Sequence, residues 1–266
     1  GIMVLGLKMV EWDDIQVFIQ YGILSDPKFN DKAKNFALLK NTTGEYFTFE
    51  EYKEKVKASQ TDKNDKLVYL YTHNQEEHHS LIQAANEKAY DVLILDGPLS
   101  SHYISKLEQD LSVSFVRVDA DAIDKIIAKD EEVPSKLSKK DEEKLAPIFE
   151  DIASKDKFSV KIESLSETEK PVLITQNEFM RRMKEQQALG GGGMSMMGNL
   201  PEMYDLVINA NSPVISKILE AKKKEQGELA KQVLDLAMLS QGMLVGKKLT
   251  DFVNRGFIKY KIATIN

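Results

Sequence analysis

From Glu11 to Tyr21 the apolar residues Trp12, Ile15, Phe18 and Ile19 recur at helical spacing. Asp26-Pro27 interrupts that pattern, and a second short helix is expected over Asn30–Leu39. Thr48 and Glu51 have the capping-box arrangement, in which each side chain satisfies the other residue's orphan backbone N–H; they open a helix through Val56. The period then changes. Leu67–Tyr71 reads as a strand, Glu76–Lys88 as a helix, and Val92–Leu95 as a short, fully apolar strand expected to be central and covered on both faces. Ser101–Asp110 is helical, Ser114–Val118 extended and Asp121–Ala128 helical. Strands alternating with helices of about ten residues imply βαβ units and a small three-stranded parallel sheet.

Residues Lys129–Lys140 are charged and contain Pro134, the features of a linker and domain boundary. Beyond it, Ser138 caps a helix carrying Leu145, Ile148, Phe149 and Ile152. Phe158–Ile162 and Val172–Thr175 are extended, and Thr175 with Glu178 suggests a second capping box. Tyr204–Asn209 is a further strand. Ser212-Pro213 is an N-cap and first-turn pair, starting a helix with Val214, Ile215, Ile218 and Leu219. Two helices follow Gly227, over Glu228–Val245 and Lys247 to about Tyr260. No internal repeat is evident.

At 266 residues the chain suggests two domains or one large one. A net charge of −6 leaves no electrostatic footprint for nucleic acid. With no cysteine there is no disulfide framework, thiolate nucleophile or thiolate metal site. No apolar run approaches the roughly 20 residues of a membrane span. The opening GIMVLGLKMV has no signal-peptide cleavage site, and the lack of an initiator Met points to an excised fragment or a trimmed tag.

Candidate chemistry is sparse. His78 and His79 are adjacent, which on a helix points them about 100° apart rather than at one ion, so no metal is expected from the histidines (His73, His78, His79 and His102). Gly242–Lys248 fails the phosphate-loop pattern: it is one residue short between the glycines, lacks Ser or Thr after the lysine, and follows a helix. Gly190–Gly193 reads as a hinge. Asp96-Gly97-Pro98 ends a parallel strand, where ligands of such sheets bind, but its ordinary reading is a turn. Ser100 and Ser101 serve better as helix caps than as nucleophiles. Neither a catalytic residue nor a metal or nucleotide cofactor is expected.

Two apolar features say more. On the helix after Thr175, Phe179, Met180 and Met183 form a stripe opposite Arg181, Arg182, Lys184 and Glu185. The stripe ends early and runs through the glycines into Met194, Met196 and Met197, where little else is apolar. Either it packs into its own core, as most amphipathic helices do, or it is an exposed adhesive surface, for which flexible, polarizable methionine is suited. Near the C-terminus, Leu229, Val233, Leu236, Ser240 and Met243 follow heptad spacing, and Leu249, Phe252, Val253, Gly256 and Phe257 form a matching stripe on the next helix. A two-helix hairpin cannot bury such a face alone. Either the preceding domain covers it, or a second copy completes a four-helix bundle.

The order of several segments resembles the ninety-kilodalton heat-shock protein chaperones of the bacterial HtpG type. Trp12-Asp13-Asp14, Gly22-Ile23, Asn30-Asp31 and Phe36–Leu39 are similar to the helical coil of that family's middle domain. Thr48–Tyr52, Leu67–Tyr71 and Asp91–Leu95 are similar to its small α/β lobe. Ile174–Met183, Asn199-Leu200-Pro201 and Asn209-Ala210-Asn211 look like its C-terminal domain, and Asp235–Leu239 with Leu249–Arg255 like its dimerisation helices. The resemblance implies a helical coil over 1–60 and a small parallel-sheet α/β lobe over 61–132. An α+β domain over 133–266 would end in a helical-hairpin dimerisation element. It also implies a cytoplasmic, ATP-driven homodimeric chaperone for non-native client proteins, binding neither nucleic acid nor membrane. The ATP and Mg sites of the family fall in segments without a counterpart here, so this chain would hold no cofactor and be no enzyme. Client contacts would fall on Phe179, Met180, Met183, Met194, Met196, Met197 and Tyr103. The dimer interface would use Leu229, Val233, Leu236, Ser240, Met243, Leu249, Phe252, Val253 and Phe257. The rival readings are a nucleotide-binding α/β enzyme and a purely structural dimerisation module.

Overall fold

The structure, a computed structural model, describes the backbone over residues 2–189 and 202–265 and the side chains over 12–185 and 202–258. The chain forms two compact units. The first contains α1 (Ile2–Ser25), α2 (Pro27–Ala33), β1 (Leu38–Lys40), β2 (Tyr46–Thr48), α3 (Phe49–Val56), β3 (Val68–Thr72), α4 (His79–Glu87), β4 (Val92–Ile94), α5 (Ser100–Leu111), β5 (Ser114–Arg117) and, from later in the chain, α7 (Glu178–Leu189). The second contains α6 (Lys139–Glu150), β6 (Phe158–Glu163), β7 (Val172–Thr175), β8 (Tyr204–Asn209), α8 (Pro213–Glu220), α9 (Lys223–Ser240) and α10 (Gly246–Ile265).

In the first unit β3, β4 and β5 form a parallel sheet in the order β4-β3-β5. The central strand is β3, not the Val92 strand expected there. Every residue of β3 is buried. Tyr69 and Tyr71 enter one core with Trp12, Tyr52, Tyr103 and Phe115, while Val68 and Leu70 enter another with Ile82, Val92 and Ile126. Burial on both faces explains why β3 reads as a continuous apolar run rather than an alternating one. The Tyr69 ring meets Tyr52 and Phe115 edge-on, with centroids 4.8 and 5.3 Å apart, the arrangement that aromatic quadrupoles favour.

The Thr48–Glu51 capping box forms as expected, with Thr48 N–H donating to Glu51 at 2.7 Å and Glu51 N–H to the Thr48 hydroxyl at 3.3 Å. Asp26 caps α2 through the Lys28 and Phe29 amides. Three further expectations fail in this unit. The helix expected over Asn30–Leu39 stops at Ala33, because Leu38–Lys40 pairs antiparallel with Tyr46–Thr48. In the Asp121–Ala128 segment one turn closes on the Ala122 carbonyl and buries Ile123, Ile126 and Ile127. No helix continues, since the Ala128 carbonyl accepts instead from Lys63 N–H at 2.7 Å. On α1, Trp12 is buried and Ile19 packs against the core, but Ile15 and Phe18 face solvent.

In the second unit β8 is central, parallel to β6 and antiparallel to β7. Ser138 and Ser212 cap α6 and α8 as expected. The core gathers Leu145, Phe149, Ile174, Leu206, Ile208, Ile215, Ile218, Leu234 and Met238. Asn211, just past β8, accepts from Lys136 N–H at 2.7 Å and donates to the Pro134 and Leu165 carbonyls at 3.0 and 2.9 Å, fastening the Pro134 segment. Helix α9 begins at Lys223 and runs through Gly227. It ends where Gly242 takes a positive φ of 66° and Met243 N–H returns to the Met238 carbonyl, a glycine C-cap.

Candidate functional site

The order β4-β3-β5 carries a topological switch: the chain lays β4 on one side of β3 and then crosses to lay β5 on the other. The crevice at the carboxyl ends of β3 and β5 is the position where such sheets place a ligand. Here it receives α7. The Glu178 carboxylate accepts from Arg117 N–H at 3.1 Å and from the Tyr71 hydroxyl at 3.2 Å, at the ends of β5 and β3. Arg182 donates to Glu108 on α5 at 2.8 Å and to the Phe115 carbonyl at 2.6 Å. Ser101 donates to Glu185 at 3.0 Å. Arg181, buried although charged, donates to the Tyr71 hydroxyl and to Glu178, both at 2.6 Å, and pairs with Glu185. Burial would lower the pKa of both arginines, but the surrounding carboxylates and the Tyr71 hydroxyl outweigh it and raise both. Burial likewise pushes the Tyr71 hydroxyl up.

Helix α7 is thus docked by its charged face, and its apolar residues point away. Phe179 is 72% exposed and Met180 51% exposed, while Met183 is half-buried. The second capping box does not form: Thr175 pairs with Asp205 as the last residue of β7, and Glu178 is spent on the crevice. Tyr103, expected as an exposed contact, is 1% exposed in the first core, where burial raises its hydroxyl pKa. A tyrosine on the inner face of α5 fills the core and is not available to a ligand. Met194, Met196 and Met197, like Gly190–Gly193, lie outside the described residues.

The expected hairpin seam divides. Val233, Met243, Leu249 and Phe252 lean on the core of the second unit. Leu229, Leu236, Ser240, Val253 and Phe257 face solvent. The stripe that α9 turns inward lies beside the predicted one: Ala230, Leu234, Ala237 and Met238. The hairpin is tied across by Asp235, buried on α9, which accepts from Arg255 on α10 and pairs with Lys231 at 3.3 Å.

Among the histidines, His78 is buried at the start of α4 and His79 is exposed, so the two do point apart. His73, five residues earlier, instead meets His78 edge-on with ring centroids 4.9 Å apart. Burial lowers the pKa of both imidazoles, against the opposing pull of Glu77 and Asp119. Asp119 accepts from Arg117 at 2.6 and 2.7 Å; burial raises its carboxyl, but these bonds and the guanidinium charge hold it below the usual range.

The chain matches the family described as Hsp90 protein over residues 10–256. It belongs to the Hsp90 family. It is 41% identical over 219 residues to the chaperone protein htpG of Bacteroides fragilis (strain 638R), covering 81% of this chain and 32% of that protein. It is 41% identical over 218 residues to the chaperone protein HtpG of Porphyromonas gingivalis (strain ATCC 33277), covering 80% of this chain and 32% of the relative. The HtpG of Bacteroides thetaiotaomicron is 40% identical over 217 residues, again 80% of this chain and 32% of the relative. The chain therefore spans about a third of the length of these relatives. Among its described residues no helix is long and apolar enough to cross a membrane.

The residues that dock α7 in this Hsp90-family chain were not singled out by sequence pattern. Arg181, Arg182 and Glu185 read there only as the side opposite the apolar stripe, and Glu178 as half of a capping box. The signal was their spacing, two arginines flanked by glutamates at i,i+3 and i,i+4, which pre-forms a charge cluster before any partner is known.

Proposed function

We propose that this chain is the client-holding and dimerising part of an Hsp90-type chaperone. One observation carries the reading. Helix α7 commits its charged residues to the lobe and leaves Phe179 largely, and Met180 about half, exposed. A helix fixed by ion pairs, with its apolar face outward, is a rigid presenter of hydrophobic surface, the kind of patch that marks an interaction site. Met183 borders it, and Met194, Met196 and Met197 would extend it. Exposed hydrophobic segments of non-native chains are the ligand, with no sequence preference. The solvent-facing seam of Leu229, Leu236, Ser240, Val253 and Phe257, with Val233, Met243, Leu249 and Phe252 beneath, would pair two copies in the cytoplasm. Two client surfaces per dimer would then bind one chain more tightly than either alone. The lobe and the helical coil before it correspond to the end of the family's middle domain, and residues 133–266 to its dimerisation domain. In this reading ATP and Mg bind elsewhere in the full chaperone. Within the first unit, the crevice where a parallel sheet would hold a nucleotide is filled by Glu178.

The test is the double change Phe179→Ser with Met180→Ser. Binding to an unfolded model protein, and suppression of its aggregation, should fall several-fold, with melting temperature and dimerisation unchanged. A melting temperature lowered by many degrees would make these residues structural. Unaltered client binding would reject the site. Calorimetry with Mg-ATP should show no micromolar binding; such binding would favour the enzyme reading.

A further inference from the structure

We propose that His73, Glu77 and His78 form a binding site for a divalent transition-metal ion of the zinc class. The three lie on the turn that joins β3 to α4, and their donor atoms are within 4.8 Å of one another. The turn brings them together. Asn74 accepts from the Glu76 and Glu77 amides, both at 3.1 Å, and His78 N–H returns to the Asn74 carbonyl at 3.1 Å. This folds the chain so that residues 73 and 78 face each other, while His79 is turned outward.

The buried member of the set is already oriented as a ligand. The Thr72 hydroxyl accepts from Asn74 N–H at 3.1 Å and lies 3.0 Å from the Asn74 carbonyl and 2.9 Å from His78 Nδ1; if its single proton goes to the carbonyl, it accepts from Nδ1. With the His78 proton on Nδ1 that contact is satisfied and a lone pair is left at Nε2, the tautomer a metal ligand at this position needs. A metal-binding histidine is commonly held this way, its far N–H fixed by an acceptor that sets tautomer and ring angle. Each imidazole has a carboxylate oxygen near its Nε2: Asp119 Oδ2 lies 3.7 Å from that of His78, and Glu77 Oε2 lies 3.8 Å from that of His73. Acceptors facing acceptors leave room for a cation. Imidazole nitrogen with carboxylate oxygen suits zinc, copper or nickel over calcium or magnesium.

The separations exceed the about 3.4 Å between ligands that tetrahedral bonds of about 2.1 Å imply. Closing the gap asks only His73 and Glu77 to rotate, and their side chains are 41% and 48% exposed. The guanidiniums that act on His73, Arg117 and Arg181, are each matched already, Arg117 by Asp119 and Arg181 by Glu178 and Glu185. They do not present net positive charge to an incoming ion.

The test is calorimetric titration of the metal-free chain with zinc chloride in a non-coordinating buffer at neutral pH. One zinc ion should bind per chain with micromolar affinity. The separate changes His73→Ala and Glu77→Gln, both at exposed positions, should each weaken binding about tenfold or more without altering the metal-free melting temperature. The double change His79→Ala with His102→Ala should leave binding intact. Long-range nitrogen NMR should show His78 protonated at Nδ1 and its Nε2 resonance moving on addition of zinc. Absence of one-to-one binding, wild-type affinity in His73→Ala, or loss of binding in the His79/His102 control would each overturn the assignment.

Discussion

Arg182 on α7 reaches Glu108 on α5 at 2.8 Å, and the same guanidinium caps the Phe115 carbonyl of β5 at 2.6 Å. The two residues stand 74 positions apart in sequence, and their bond is one of those that dock α7 on the lobe. Both side chains are largely shielded, so the bond is screened less than a surface pair.

Arg182→Ala should loosen α7 without unfolding the lobe. Losing a charge-assisted bond and a backbone contact should cost about 2–3 kcal/mol of local docking energy. Amide exchange in α7 should then accelerate by about one to two orders of magnitude, while β3 and β5 keep their protection. Unchanged exchange in α7 would show that Glu178 and Arg181 suffice.

Leu236 and Leu234 make a paired test of the hairpin. Leu236 is 48% exposed and Leu234 is 3% exposed, two positions apart on α9. On the proposed pairing, the unaltered chain should be dimeric and Leu236→Glu a folded monomer at the same concentration, since each leucine buried at an interface contributes about 1.5–3 kcal/mol. Leu234→Glu should unfold the second unit, because it buries an unpaired charge. Sedimentation and circular dichroism separate the two. A dimeric Leu236→Glu chain would move the interface elsewhere.

Gly22 lies in α1 where a Cβ would stand 2.6 Å from the Phe29 ring of α2. Alanine would gain about 1 kcal/mol of helix propensity but overpack the contact at a cost of about 1–3 kcal/mol. Gly22→Ala should therefore be destabilising on balance in denaturant unfolding, and shortening the partner with Phe29→Leu should recover the loss.

Asp110 gives an acid dependence of known sign. It accepts from Asn30 on α2 at 2.8 Å and from Lys106 at 2.9 Å. Burial raises its carboxyl, but these bonds and the charges of Lys106 and Lys34 outweigh it and hold the pKa below the ordinary 3.8. A depressed carboxylate stabilises the fold above its unfolded pKa, and that contribution is lost as pH falls through the folded value. Asp110→Asn should lower stability at neutral pH and flatten the decline below about pH 4. An acid limb as steep as the parent's would assign it to other carboxylates.

The elements whose evidence is local were legible in the chain. The Thr48–Glu51 box, the Ser138 and Ser212 caps, the three parallel strands and the strand at Tyr204 depend on neighbours within a few residues, so the sequence alone determines them. The family, too, was carried by the order of such segments. What depends on partners far along the chain was not legible. Leu38–Lys40 is a strand only because Tyr46–Thr48 lies beside it. Tyr103 and Leu229 are both apolar residues on helix stripes, and only packing decides that one is core and the other surface. The orientation of α7 is the clearest case. Its sequence offers an apolar face and a charged face, and an amphipathic helix ordinarily buries the first. Tyr71, Glu108, Phe115 and Arg117 supply instead a polar crevice whose donors and acceptors match the charged face. A pattern of side chains states which faces a helix has; which one is buried depends on the surface it meets, and that surface exists only once the sheet has folded.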